Sequence, residues 1–346
     1  MIKFIANIIC MFLPNKKMRS NIRQYFRPGL DKKIDEIYAN INYINKFLKI
    51  THPITEIPKA TPESDIWLIQ NGILKLLDLW SMICKEFNWT WWVSGGNLIG
   101  VVRHSGFIPW DDDFDLEMSR KDYEEMIKIL PSFFENTKFS MFIRKSSFVK
   151  IIYKNYGAFI DVFPRDQYFK KLSDNKDKKE FKDSMLKMVQ ITRNNCCLEK
   201  DILTNDTNEA YSKFLEIYSK NRDYHNRIVM KNKPVSDDGD WFVGSEIASL
   251  AHNSWTNKPD TVVNICSHDI IFPIREMKFE HMMLPVPNNP TAFNEVQYGN
   301  VFSWPNTIDC HTSKKLTNKH RTALRELISL DIKEVFEEMN QRYKLK

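Results

Sequence analysis

Five acidic residues fall within seven positions at Asp111, Asp112, Asp113, Asp115 and Glu117, inside the stretch SGGNLIGVVRHSGFIPWDDDFDLEMSRK that runs from Ser94 to Lys121. Asp113 and Asp115 flank Phe114 in an Asp-apolar-Asp-apolar pattern. A strand has period two, so both carboxylates point to one face while Phe114 and Leu116 point to the other. A strand reaching from Asp111 to Glu117 would add those two acids to the same face. Crowded carboxylates repel one another and ask for a cation. Hard oxygen ligands suit Mg²⁺ or Mn²⁺, which take one or two carboxylates plus substrate phosphates. Asp111, Asp113 and Asp115 are therefore the expected metal ligands. Gly95-Gly96 supplies the other half of such a site. Glycine lets a phosphate approach the backbone, and a helix beginning near Asn97 would aim its free N–H groups at that phosphate.

A Gly pair at a strand-to-helix turn, followed by Asp-x-Asp on the next strand, resembles the core of the nucleotidyltransferase fold. The likeness is closer still to the LicD family, which includes bacterial phosphocholine transferases and the fukutin-related proteins. That family reads roughly G-x-L-L-G-x-x-R-H-x-G-F-I-P-W-D-D-D-I-D-I. This chain matches it at Gly96, Leu98, Gly100, Arg103, His104, Gly106 to Asp113, Asp115 and Tyr123. A second resemblance covers Phe279-Glu280, Pro285-Val286-Pro287, Tyr298-Gly299 and Trp304-Pro305, with His311 as a further match.

The resemblance implies a metal-dependent transferase that moves a phospho-alcohol group from a CDP-activated donor, such as CDP-choline or CDP-ribitol. The acceptor would be a hydroxyl of a cell-surface glycan or glycolipid. Asp113, Asp115 and Asp161 would be catalytic. Gly95, Gly96, Asn97, Arg103, His104 and Lys150 would bind substrate; Arg103 lies inside the motif, whereas Lys150 rests on position alone. A nucleotidyltransferase that releases pyrophosphate would use the same cradle, and an inactive scaffold of a glycan-assembly complex is the non-enzymatic alternative.

Asp161 sits in GAFIDVFPRD, an acid inside an apolar strand. Burying it unpaired is costly, so it either serves the site, as the family's I-D-(I/V)-F-P element implies, or pairs with a nearby Lys or Arg. Glu280 is open in the same way, either a site carboxylate or a strand residue.

The elements that must hold these residues read as an α+β fold: a nucleotidyltransferase-like mixed sheet flanked by helices, with a helical insertion at about 168–240. Thr61-Pro62 looks like a helix start. Apolar residues from Ile66 to Phe87 then recur at helical spacing. Trp89 to Val93 reads as the strand before the Gly-Gly turn, its aromatics as core. Ser119-x-x-Asp122 should cap a helix to Leu130. Strands are expected at 138–144, 148–154 and 158–163, and a further strand from Trp241.

Residues 1–60 form a separate N-terminal region: a basic apolar segment, a connecting helix from Asp31 to Leu48, and a linker with three prolines between Thr51 and Pro62. The remainder, 61–346, is the catalytic domain. The net charge of +6 resides entirely in residues 1–30, where Lys3, Lys16, Lys17, Arg19, Arg23 and Arg27 have no acidic counterpart. The neutral body excludes a nucleic-acid groove. Ile2 to Leu13 is too short to span a bilayer, and the basic residues follow it, unlike a signal peptide. An anionic membrane surface is the expected partner for this segment; the alternative is a helix packed into the fold. The expected location is cytoplasmic, peripheral on the inner face of the membrane. Six cysteines without a C-x-x-C pair fit reduced thiols and give no zinc site.

Overall fold

The computed structural model describes residues 32–44, 46–47, 54–143, 148–154, 157–168, 170–181, 183, 202–203, 212, 215–216, 219, 238–243, 265–303 and 316–345. The basic segment, most of the expected insertion, Trp304-Pro305 and His311 lie outside these residues. The chain divides into two compact units, Met1–Ile57 and Pro58–Lys346. In the first, residues 32–44 are helical. Ile34, Ile37, Ile41 and Ile44 remain 38%, 57%, 46% and 54% exposed there. No described helix is long and apolar enough to cross a membrane.

The second unit is a mixed sheet flanked by helices. Its helices are α1 (Asp65–Glu86), α2 (Gly95–His104), α3 (Arg120–Phe133), α4 (His268–Ile271), α5 (Pro290–Tyr298), α6 (Asn318–Ser329) and α7 (Ile332–Lys344). Its strands are β1 (Trp91–Val93), β2 (Asp115–Ser119), β3 (Phe139–Ile143), β4 (Val149–Tyr153), β5 (Phe159–Tyr168), β6 (Ile202–Leu203), β7 (Asp240–Val243), β8 (Ile265–Cys266), β9 (Arg275–Phe279) and β10 (Met282–Val286). The main sheet runs β1-β2-β5-β4-β3-β6, with β7 bridging β5 and β8. Among the described residues only β2 and β5 pair in parallel; the other described pairs in the sheet are antiparallel. β6 is a strand inside the region expected to be helical.

α1 carries the main apolar stripe, with Leu68, Ile73, Leu77, Trp80 and Ile83 at most 1% exposed. Burying a side chain of this size contributes about 1.5–3 kcal/mol. The helix starts later than Thr61-Pro62 suggests. Ser64 is its cap, accepting from the Trp67 N–H at 3.3 Å, and Thr61 to Ser64 form a turn. Trp89, Trp91 and Trp92 are core, not a base-stacking platform. Ser119 caps α3 as expected by accepting from the Asp122 N–H. That helix continues through Pro131 to Phe133, because a proline in the final turns loses only one ladder bond. β9 and β10 form a separate hairpin, and Pro285 sits in a strand whose one ladder partner is β9. α6 and α7 close the core with Leu324, Leu327, Ile332 and Met339. Cys84 and Cys266 are buried free thiols.

Candidate active site

The chain from Ser94 to Asp115 is a loop-helix-loop joined back on itself. Ser94 donates its N–H to the Asp115 carbonyl at 3.0 Å, and α2 begins directly at Gly95, two residues before the expected start. Gly95 has φ +59°, and a Cβ there would lie 2.3 Å from Asp115 Oδ2. Only glycine both adopts that backbone and leaves room for the carboxylate. The first-turn N–H groups of Gly95, Gly96 and Asn97 are those that a helix leaves for an external acceptor.

The acidic strand is shorter than expected. β2 begins at Asp115, so strand parity does not place Asp111 or Asp113. Asn97 does. Its side chain is fully buried. Oδ1 accepts from the Asp115 N–H at 2.6 Å, and Nδ2 donates to the Asp113 carbonyl and to Asp111 Oδ2, each at 3.0 Å. Gln70 of α1 holds the same loop from behind, donating to the Asp111 carbonyl at 2.9 Å. The expected role of Asn97 was its backbone amide; its side chain is also the staple of the acidic loop.

Asp115 and Asp161 are register partners across β2 and β5. Burial, followed by the charges of Asp113, Asp161 and Asp111, pushes the Asp115 carboxyl well above the usual carboxylate range. Lys150 opposes that shift. Lys150 Nζ donates to both oxygens of Asp161, at 2.6 and 2.7 Å, so the acid inside the apolar strand has a partner. Lys150 thus stands on the acidic group itself.

Glu117 belongs to a different arrangement. It is 3% exposed and accepts from Ser94 Oγ at 2.9 Å, Trp92 Nε1 at 3.1 Å and Arg165 at 2.7 Å. Arg165 lies over the Phe293 ring, 4.6 Å from its centroid. This buried ion pair fixes the turn before Gly95 rather than facing a ligand.

Arg103 donates to the Val301 carbonyl at 2.9 Å. Burial lowers its pKa while Asp111 raises it. His104 has its pKa pulled down to about 4 by burial, Arg103 and Lys59, and its Nε2 is buried with no hydrogen-bond partner among the described residues. It is neutral at pH 7 and so brings no charge to a phosphate. Glu280 resolves toward structure. At the β9–β10 turn it accepts from the Phe107 N–H at 3.2 Å and pairs with Lys59, while its own N–H meets the Ser105 carbonyl at 2.8 Å. A Cβ on Gly106 would lie 2.0 Å from Glu280 Oε1, so the motif glycine makes room for this clamp. Phe279 packs on Phe107 and Phe114, with centroids at 4.8 and 5.4 Å.

Tyr298 is a residue that the sequence placed only as the end of a helix. Burial and the charges of Asp115, Asp113 and Asp111 raise its hydroxyl well above the ordinary tyrosine value. The residue is 42% exposed, so solvent tempers the burial, while the neighbouring acids all act in one direction. Its signal in the sequence was the Tyr-Gly step alone.

The donor set is hard oxygen, with Asp111, Asp113 and Asp161 crowded about Asp115, a chemistry that suits Mg²⁺ or Mn²⁺. Among the described residues no three His, Cys, Asp or Glu side chains already converge on one metal position. A cation held by one or two carboxylates and completed by substrate phosphates fits this arrangement.

A parallel β2–β5 pair bears facing acids next to a glycine-opened helix, the arrangement expected of a nucleotidyltransferase-like sheet. Residues 88–195 match the family model described as LicD/FKTN/FKRP, nucleotidyltransferase domain. The similarity to the LicD family is confined to this segment of the chain. It is 41% identical over 56 residues to the lipopolysaccharide cholinephosphotransferase LicD of Haemophilus influenzae, covering 16% of this chain and 21% of that protein. It is 44% identical over 46 residues to uncharacterized proteins of Rickettsia prowazekii and Rickettsia typhi, covering 13% of this chain and 17% and 15% of theirs. The chain thus spans about a fifth or less of the length of these relatives.

Proposed function

We propose that the chain transfers a phospho-alcohol group, phosphocholine or a similar unit, from a CDP-activated donor to a hydroxyl of a surface glycan such as lipopolysaccharide. The observation that carries this reading is the gathering of Asp111, Asp113 and Asp115 around Asn97 at the open end of α2. The printed activity of the Haemophilus relative supports the substrate class.

Asp113 and Asp115 would hold Mg²⁺ or Mn²⁺, with Asp111 as a further ligand or a group behind them. When bound, the ion neutralises charge on the diphosphate and on departing CMP. The N–H groups of Gly95, Gly96 and Asn97 orient the donor phosphates. The acceptor oxygen bonds to phosphorus, the bond to CMP breaks with its electron pair leaving on CMP, and the hydroxyl proton goes to Asp161. Arg103 steadies the cradle from the Val301 side, and His104 acts as a neutral group. Residues 1–30 tether the protein to an anionic inner membrane surface, where a lipid-carried acceptor would be built.

The test is incubation with CDP-choline and CDP-ribitol in Mg²⁺, with chromatography of products. CMP release dependent on Asp115 supports the reading. Pyrophosphate release would reassign the chain to nucleotidyl transfer, and no turnover with any donor would favour a scaffold.

A further inference from the structure

Lys150 and Asp161 are register partners on antiparallel β4 and β5. The ammonium contacts both carboxylate oxygens and sits 3.6 Å from the Phe159 ring centroid and 5.5 Å from that of Phe148. Both side chains are nearly enclosed, at 13% and 10% exposure. On its other side β5 presents Asp161 to Asp115. Asp161 therefore stands between one cation and the acidic group.

A lysine that occupies both oxygens of Asp161 prevents that carboxylate from accepting a proton or helping to hold a metal. It also removes part of the repulsion that four clustered acids would otherwise suffer. Lysine is suited to a temporary post, since its charge is a point on a flexible stem. A divalent cation arriving at Asp113 and Asp115 would repel the ammonium. An incoming diphosphate offers the displaced ammonium a new anion. The Phe148 and Phe159 rings give it favourable faces on either side.

We infer that Lys150 is an internal counter-ion, which neutralises Asp161 in the free protein and passes to the donor's phosphate oxygens when cation and donor bind. This frees Asp161 for the acceptor. The inference rests on the transferase reading above but is tested apart from turnover.

Mn²⁺ binding is measured by electron paramagnetic resonance on wild type and Lys150→Gln, without donor and then with cytidine diphosphate. Lys150→Gln is expected to bind Mn²⁺ about tenfold more tightly and, at saturating Mn²⁺, to bind cytidine diphosphate about tenfold more weakly. Equal or weaker Mn²⁺ binding by the variant overturns the counter-ion role while leaving the transferase reading in place. Failure of both proteins to bind Mn²⁺ overturns both. A second measurement needs no variant. Acetylation of Lys150 in wild type, followed by mass spectrometry, is expected to rise on adding Mn²⁺ and to fall again on adding cytidine diphosphate. Labelling indifferent to both overturns the inference.

Discussion

Asp115 and Asp161 face each other in register on the parallel strand pair of the main sheet, β2 and β5. The topology that brings them together needs α3, β3 and β4 as the crossover between the two strands. Residues 46 positions apart thus become neighbours, and the charge of Asp161 raises the cost of ionising Asp115.

Removing one of these charges should inactivate and stabilise at once. The folded-state pKa of Asp115 is raised, so the folded protein holds its proton more tightly than the unfolded chain. Metal-free stability should therefore fall as pH rises from about 4, the unfolded value, through the raised folded value. Asp115→Asn removes that fall. Its melting temperature in EDTA should exceed wild type at pH 8, with the gap closing toward pH 4, while turnover disappears. A variant no more stable than wild type at pH 8 would show that the acid is not strained.

Asn97→Ala should cost about 2–3 kcal/mol, since it removes a hydrogen-bond partner from the Asp115 N–H and from the Asp113 carbonyl. Turnover should drop about a hundredfold or more from displacement of the acidic loop. Asn97→Asp keeps the shape but puts a carboxylate against Asp111, and it should be the worse of the two. Urea unfolding and steady-state rates check both.

Arg165→Met is expected to lose about 3–5 kcal/mol, because Glu117 is left as a buried, uncompensated charge. The double variant Arg165→Met/Glu117→Leu should recover much of this loss. A double variant as unstable as the single would mean that the packing of Arg165 on Phe293, not the ion pair, is what matters.

For His104, the lowered pKa means that the folded state disfavours the proton. Its contribution to stability is complete above about pH 6.5 and is lost as pH falls toward about 4. An NMR titration should find its midpoint near 4. A midpoint at 6 or above would return a cationic His104 to the list of phosphate ligands.

Deleting residues 1–30 should abolish sedimentation with anionic vesicles at low salt, where each basic residue contributes about 1 kcal/mol, and should leave activity on a soluble acceptor. A deletion that unfolds the protein would indicate that Ile5, Ile9 and Phe12 belong to a core.

Much of this site was legible because its chemistry is local. Gly95, Gly96 and the acids from Asp111 to Asp115 lie within about twenty residues, and their types announce phosphate and cation. Strands β3, β4 and β5 were legible from their alternation. What could not be read were relations set by pairing. Glu117 shares the strand parity of Asp115 and was read only as a further acid on that face, yet Arg165, Ser94 and Trp92 claim it. The partner of Asp161 is Lys150, opposite it in an antiparallel register that no local spacing reports. Asn97 had the right position for a backbone donor, and nothing in the sequence says that its side chain reaches three groups on the far side of the motif loop. Thr61 was chosen as a helix cap on type alone, where Ser64 had the geometry.

The clamp of Glu280 on Phe107, 173 residues away in the chain, bears on how this protein could diversify. Closing a long loop costs chain entropy only logarithmically, about 0.6 kcal/mol for each doubling of length. The segment between β8 and the earlier strands can therefore be lengthened, shortened or exchanged at small cost, provided that both jaws of the clamp survive. The phosphate and acid cradle would be inherited unchanged through such exchanges.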